Sequence, residues 1–213
     1  TLFERGSMRG SSSTTPTSVI VVVVVSHSGS EVTASDKSQA PNLAASDFAL
    51  FQLPQQFALD LPSLEQSWKA LQRHAHPDMH DQADASAQRL SMQWSVRINE
   101  AYQRLKNPVK RAAYLCELQG VPISAETNTA MPTDFLVQQI SWREALDTAA
   151  SPAEMDGLLI EVKEYRDSLL AECERFLDVV CDAHKAAMSV RALMFVDRFI
   201  QAVVLQLDRL ESA

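Results

Sequence analysis

Cysteine is scarce in this chain of 213 residues, which contains only Cys116, Cys173 and Cys181. So few and so widely spaced cysteines exclude the disulfide framework of a small secreted domain. They also form no Cys-x-x-Cys pair, so a structural zinc site is not expected. We therefore predict a reduced, intracellular setting, with the cysteine side chains in an apolar core.

Two further patterns are missing: an excess of positive charge and a long apolar run. Lysine and arginine number 19 against 27 acidic residues, for a net charge of −8, whereas a general nucleic-acid binder needs a basic surface that displaces counterions. The longest apolar run, Val19–Val25, has seven residues, far short of the roughly 20 that span a bilayer. Neither nucleic acid nor a membrane is an expected partner.

Residues 1–46 are dominated by serine, threonine and other polar residues, without a helical period. Such a composition buries too little apolar surface to fold, so we predict a disordered extension. Arg5 and Arg9 before the valine run are compatible with a secretory signal, and the Ser/Thr-rich start is compatible with a transit peptide. A cloning remnant is a further alternative. The expected compartment is the bacterial cytoplasm, with the mitochondrial matrix as the alternative for a transit peptide.

Two amphipathic helices flank a polar stretch in the first half of the chain. Pro77 ends the first helix, because proline lacks the backbone N–H and disfavours the α conformation of the residue before it. A second helical pattern begins near Ala85. The apolar stripe of the first helix is Leu64, Trp68, Leu71 and Ala75, and that of the second is Leu90, Trp94, Ile98, Ala101, Tyr102 and Leu105. A helical hairpin with a polar loop is therefore predicted.

The remaining segments also carry helical signals, and none alternates as a strand outside the valine run. Four helices are predicted in residues 47–120, followed by a linker over 121–132. The sequence Ser151-Pro152-Ala153-Glu154 is a capping box with proline at the first helical position, which is a sharp helix start. Three helices are predicted in residues 133–213, at about 134–148, 151–184 and 187–211.

The polar loop contains His76-Pro77-Asp78, and two helices that pack across an exposed His-Pro-Asp loop resemble a J-domain. The opening Phe48–Asp60 and the close Ile98–Leu115 are similar to one branch, the HscB-type J-domain co-chaperones of iron–sulfur cluster assembly. The resemblance implies an all-α, L-shaped protein. In it, an N-terminal J-domain over 47–120 is followed by a C-terminal three-helix bundle over 133–213.

In the J-domain family this loop docks on a DnaK-class chaperone and stimulates its ATPase, so the resemblance assigns that role to His76, Pro77 and Asp78. Pro77 would rigidify the loop, and the Asp78 carboxylate could pair with an arginine of the partner. Lys69 and Arg73 on the preceding helix are predicted to meet an acidic surface of the partner. This basic surface is thin, which favours one dedicated, HscA-like chaperone.

The first helix of the predicted bundle has apolar residues on two opposite faces. One face carries Phe135, Trp142 and Leu146, and the other carries three aliphatic residues with a glutamate. A three-helix bundle buries one broad face of such a helix, so the second is either covered by the J-domain or exposed as a binding patch. The resemblance assigns binding of the iron–sulfur scaffold protein IscU to Leu136, Val137, Ile140, Glu144 and Phe195. A core position for all of them is the alternative.

We therefore predict a co-chaperone with no enzymatic activity and no cofactor of its own. It would stimulate ATP hydrolysis by an HscA-like chaperone and deliver an IscU-like scaffold to it, which would assist iron–sulfur cluster transfer. Two alternatives stay open. A general J-domain co-chaperone would keep the loop and bind unfolded clients. A helical metal-binding protein would use the cluster His74, His76, Asp78, His80 and Asp81.

Overall fold

The computed structural model describes residues 44–75, 85–123 and 131–212. Within these ranges the secondary structure is helical and contains no strand, which confirms the predicted all-α class. The helices are α1 Asp47–Leu50, α2 Leu61–Ala75, α3 Ala85–Lys106, α4 Pro108–Leu118, α5 Thr133–Thr148, α6 Pro152–Glu174 and α7 Ala183–Glu211, with a π-helical segment Arg175–Val179 after α6. None of these helices combines the length and the apolar character that a bilayer crossing requires.

Helices α2 and α3 pack against each other as the predicted hairpin. Leu64 on α2 and Ile98 on α3 are buried, and the Trp68 and Tyr102 rings stack with centroids 4.7 Å apart. The predicted stripe is wrong at one position, because Leu90 is exposed and Ser91 is buried in its place. The Ser91 hydroxyl donates to the carbonyl of Ala75, and it thereby satisfies one of the carbonyls that the end of a helix leaves without an intrahelical partner.

A buried carboxylate ties α1 to α3 and α4. Ser46 caps α1 by accepting from the Ala49 amide at 3.2 Å. Asp47 is fully buried, and its carboxylate lies 2.7 Å from Arg97 Nη2 and 3.1 Å from Arg104 Nη1. Its backbone N–H donates to the Tyr114 hydroxyl at 3.0 Å. Two cations of α3 and one hydroxyl of α4 therefore hold the short first helix in place.

The first four helices share a core with the last three. The backbone amides of Phe57 and Ala58 donate to the Asp178 carboxylate in the π-helical segment, at 2.6 and 2.8 Å. The Arg111 guanidinium of α4 covers the Phe57 ring at 5.0 Å. Helix α4 also packs along α7. The division into domains at 47–120, 121–132 and 133–213 stays a prediction, since residues 124–130 of the linker lie outside the described residues.

The start of α6 follows the sequence prediction, and its end does not. Both hydrogen bonds of the capping box are formed between Ser151 and Glu154. The backbone amides of Ala150 and Ser151 lower the pKa of the Glu154 carboxyl. The predicted end near residue 184 is wrong, because the helix ends in the π-helical segment and Cys181 adopts a left-handed φ of 57°. Asp182 then caps α7 by accepting from the Lys185 amide at 3.0 Å, so α7 begins at Ala183 and the predicted start near residue 187 is wrong.

The three cysteines are expected to differ in reactivity. Cys116 and Cys173 are buried, as predicted, whereas Cys181 is exposed, which corrects the prediction for that residue. Burial raises the pKa of Cys116 to about 11 and that of Cys173 to about 12, and the thiolate is the reactive form. Iodoacetamide at pH 8 should therefore modify Cys181 alone in the folded protein and all three cysteines after unfolding, as measured by peptide mass spectrometry. Equal labelling of Cys116 and Cys181 in the folded protein would contradict this burial.

Candidate partner-binding surfaces

The predicted chaperone-binding tripeptide His76, Pro77 and Asp78 lies outside the described residues, so its role stays a prediction. The structure describes the end of α2 that leads into it. Two hydroxyls of α3 hold this end: the Ala75 carbonyl accepts from Ser91 and, at 3.3 Å, from Ser95. Neither serine was predicted to have this role, because a serine beside an apolar stripe does not by itself indicate a hydrogen bond to the other helix of a hairpin.

The two predicted cations of α2, Lys69 and Arg73, lie one turn apart on the exposed side of the helix. Lys69 Nζ pairs with Glu65 Oε1 at 2.7 Å, and this hydrogen bond and charge lower the pKa of the Glu65 carboxyl. The Arg73 Nε donates to the Lys69 carbonyl at 3.3 Å. Because Glu65 offsets Lys69, the positive field of this face is weaker than the sequence alone indicates.

The histidine-cluster alternative has one member that the structure describes. His74 Nδ1 lies 2.8 Å from the carbonyl of Ala70, within its own helix. Within residues 44–75, 85–123 and 131–212, no three His, Cys, Asp or Glu side chains converge as metal ligands. The other predicted members, His76, Asp78, His80 and Asp81, lie outside the described residues, so this alternative is not tested.

Helix α5 is buried along one face only. Phe135 and Trp142 belong to the bundle core, where the Trp142 ring meets Tyr165 edge-on at 5.1 Å and stacks on Phe199 at 5.7 Å. The indole N–H of Trp142 donates to Glu161 at 2.8 Å. This aromatic cluster fixes the rotation of α5 about its axis, because a large ring that is completely enclosed leaves little room for a second packing.

The opposite face of α5 points away from the core. Leu136, Val137 and Ile140 are 44%, 62% and 58% exposed, and Glu144 is also exposed. Three aliphatic side chains at this exposure on one helix form an apolar patch of the kind that marks interaction sites. The core alternative is therefore wrong for these three residues, and their role as binding residues stays a prediction. We call Leu136, Val137 and Ile140 the α5 patch.

Phe195 of α7 has a different environment from the α5 patch. Its half-buried ring lies edge-on to Phe135 at 5.8 Å and stacks with Phe199 at 6.3 Å. The ring is thus at the seam between α5 and α7, where it contacts aromatic residues of the core. A partner on the α5 patch would need to reach across this seam to touch it.

Comparisons with known proteins identify the family. Residues 131–204 match the family model described as the HSCB C-terminal oligomerisation domain. A co-chaperone protein HscB homolog of Burkholderia thailandensis is 46% identical over 173 residues, which are 80% of this chain and 98% of that protein. The chain belongs to the HscB family of co-chaperones. The family predicted from the His-Pro-Asp loop and its flanking segments is therefore confirmed.

Solved HscB structures have the same fold. The crystal structure of human co-chaperone protein HscB superposes with a TM-score of 0.73 at 26% identity, covering 78% of this chain and 84% of that one. Chaperone HscB from Vibrio cholerae superposes with a TM-score of 0.68 at 32% identity, covering 78% of this chain and 99% of that one. The predicted order, a J-domain followed by a C-terminal helical bundle, is confirmed at the level of the HscB fold.

Proposed function

We propose that this HscB-family protein stimulates ATP hydrolysis by a dedicated DnaK-class, HscA-like chaperone and delivers an IscU-like iron–sulfur scaffold protein to it. The observation that carries the proposal is the α5 patch, since its exposure gives a partner an apolar surface in a protein of a co-chaperone family. The role is one of binding and presentation, without catalysis or a cofactor of its own. Delivery of the scaffold to the chaperone would assist transfer of the assembled iron–sulfur cluster.

The chaperone would bind at the tip of the hairpin formed by α2 and α3. Asp78 supplies the carboxylate that an arginine of the chaperone can bind through two parallel hydrogen bonds. Pro77 restricts the backbone of the loop, so less conformational entropy is lost on docking. Lys69 and Arg73 would act mainly on the association rate, because exposed charges at an interface rim affect steering more than affinity.

The scaffold would bind to the C-terminal helices. The α5 patch offers the apolar contacts, and Glu144 on the same helix can accept a charge-assisted hydrogen bond at its rim. Phe195 would add contact at the seam between α5 and α7. One chain carries both surfaces, so the scaffold would be held close to the chaperone while the chaperone's ATPase is stimulated. Delivery of the scaffold would thereby be coupled to closure of the chaperone's substrate clamp.

The proposed compartment is the cytoplasm of a bacterium, in keeping with the similarity to co-chaperones of Burkholderia and Vibrio. The mitochondrial alternative depends on residues 1–46, of which 1–43 lie outside the described residues.

The proposal is tested by measuring steady-state ATP turnover of a purified HscA-like chaperone. Adding this protein should raise turnover, and adding an IscU-like scaffold with it should raise turnover further. A general co-chaperone for unfolded clients is the second candidate, favoured by the apolar character of the α5 patch. An unfolded peptide that competes with the scaffold for binding would support that candidate, and one that does not compete would exclude it at this surface.

The double substitution Leu136→Ala with Phe195→Ala is expected to weaken scaffold binding. Buried anchors at an interface typically contribute about 2 kcal/mol each, and the loss of even one corresponds to a rise of the dissociation constant by roughly 30-fold. Isothermal titration calorimetry with the purified scaffold measures this change. Helix content should stay at the wild-type value by circular dichroism. A loss of helix content would instead indicate that Phe195 acts through its core contacts with Phe135 and Phe199.

A further inference from the structure

A groove lies where α3, α4 and α7 meet. It has a volume of about 660 Å³, and Met194 of α7 forms part of its wall. Glu100 and Gln103 of α3 and Lys110 of α4 line it as well, and these three polar side chains are exposed. Met194 immediately precedes Phe195, so the groove begins at the same turn of α7 that carries the proposed scaffold contact.

The groove continues along the outer face of α3 towards the start of that helix. A second depression of about 460 Å³ shares Glu100 with the first and is lined by Met92 and Val96. Both of these apolar side chains are exposed. Met92, Val96, Glu100 and Gln103 lie at spacings of three and four residues, which places them along one side of a helix. We call this continuous surface, from Met92 to Met194, the α3 track.

The α5 patch alone is small for a specific interface. A standard protein–protein interface buries about 800 Å² on each partner and involves roughly 20–30 residues a side. Five predicted scaffold contacts supply only part of such a surface, so further surface next to Phe195 is needed. The groove at one end of the α3 track is lined by Met194, on the same turn of α7 as Phe195, so a partner that contacts Phe195 lies within reach of the track.

We infer that the iron–sulfur scaffold, while bound to the α5 patch, lays a segment of its chain along the α3 track. The inference rests on the proposed function and adds a second contact region on the J-domain half. The side chains that line the track indicate which side chains the bound scaffold segment carries. An apolar side chain fits on Met92 and Val96, and an acidic side chain fits opposite Lys110 at the end nearer Met194.

Arg89 and Arg97 line the second depression, whereas in the groove beside Met194 the charges favour Lys110 as the contact for an acidic group. Arg104, the other cation that lines the groove, lies 3.1 Å from the buried Asp47 carboxylate and covers the Tyr114 ring at 4.8 Å. It is thus held by the fold, whereas Lys110 is exposed on α4. Glu100 and Glu117 line the same groove and would repel an acidic side chain that is not placed opposite Lys110. This repulsion would fix the register of the bound scaffold segment.

The test uses two variants of the full-length protein, Lys110→Glu and the pair Met92→Ser with Val96→Ser. Each variant should raise the dissociation constant for the purified scaffold by roughly tenfold, because an interface loses one charge pair or one apolar contact region. The matched controls are Lys163→Glu and Ile160→Ser, which change exposed side chains of α6. Both controls should bind within twofold of the wild type. Thermal unfolding establishes that all four variants are folded.

A second measurement separates the scaffold from the chaperone as the occupant of the track. Stimulation of the chaperone ATPase without scaffold should be unchanged in both track variants. If this stimulation falls while scaffold affinity stays at the wild-type value, the chaperone occupies the track and the inference is overturned. Unchanged values for both measurements overturn it too. If the wild type does not bind the scaffold, the proposed function is wrong as well. Scaffold binding by the wild type therefore distinguishes failure of this inference alone from failure of the proposed function.

Discussion

Asp78→Asn is expected to abolish the stimulation of chaperone ATP hydrolysis while scaffold binding stays at the wild-type level. The substitution keeps the size of the side chain and removes its charge, so the predicted pairing with an arginine of the chaperone is lost. Removing one partner of a desolvated charge pair at an interface costs about 2–5 kcal/mol, which corresponds to roughly a 30-fold or greater loss of affinity. Steady-state ATP turnover with saturating scaffold measures the effect.

Asp81→Asn provides a matched control for Asp78→Asn. It makes the same charge change three residues further along the chain, and it should leave the stimulated turnover near the wild-type value. Calorimetric titration with the scaffold should give the same affinity for both variants and the wild type. If Asp78→Asn stimulates turnover as strongly as the wild type, the proposed mechanism at the His-Pro-Asp loop is wrong.

Trp142→Ala and Ile140→Ala should have opposite consequences, although both change large apolar residues of α5. Trp142 is 1% exposed and Ile140 is 58% exposed. Trp142→Ala removes a ring that contacts Tyr165 and Phe199, and truncation of a buried tryptophan typically costs about 3–5 kcal/mol of unfolding free energy. Ile140→Ala should change the unfolding free energy by less than about 0.5 kcal/mol and should weaken scaffold binding.

Urea denaturation followed by circular dichroism measures the stability of both variants, and calorimetric titration measures their scaffold affinity. A Trp142→Ala protein as stable as the wild type would contradict the packing of α5 against α6 and α7. An Ile140→Ala protein with unchanged scaffold affinity would show that the α5 patch is not the binding surface. Because the two residues lie on one helix, the pair separates the stabilising role of α5 from its binding role.

The helices could be predicted from sequence because their signals are local. The capping box at Ser151 and Glu154 acts within one turn, and the stripe through Leu64 and Ile98 repeats within each helix. The two faces of α5 were also predictable, since a helical period separates Trp142 from Ile140. One error arose where a polar residue replaced an apolar one for a tertiary reason, at Ser91, which donates to the end of another helix.

The sequence by itself determined the all-α class, the start of α6 and the family, because periodicity, caps and the His-Pro-Asp loop depend only on near neighbours in the chain. The tertiary structure decided which polar groups meet across the molecule. Phe57 and Asp178 are 121 residues apart, and Asp47 lies 67 residues from Tyr114. The groove between Glu100 and Met194 likewise exists only because residues of α3, α4 and α7 come together in the folded protein. Such contacts depend on the packing of whole helices, and no local pattern along the chain encodes them.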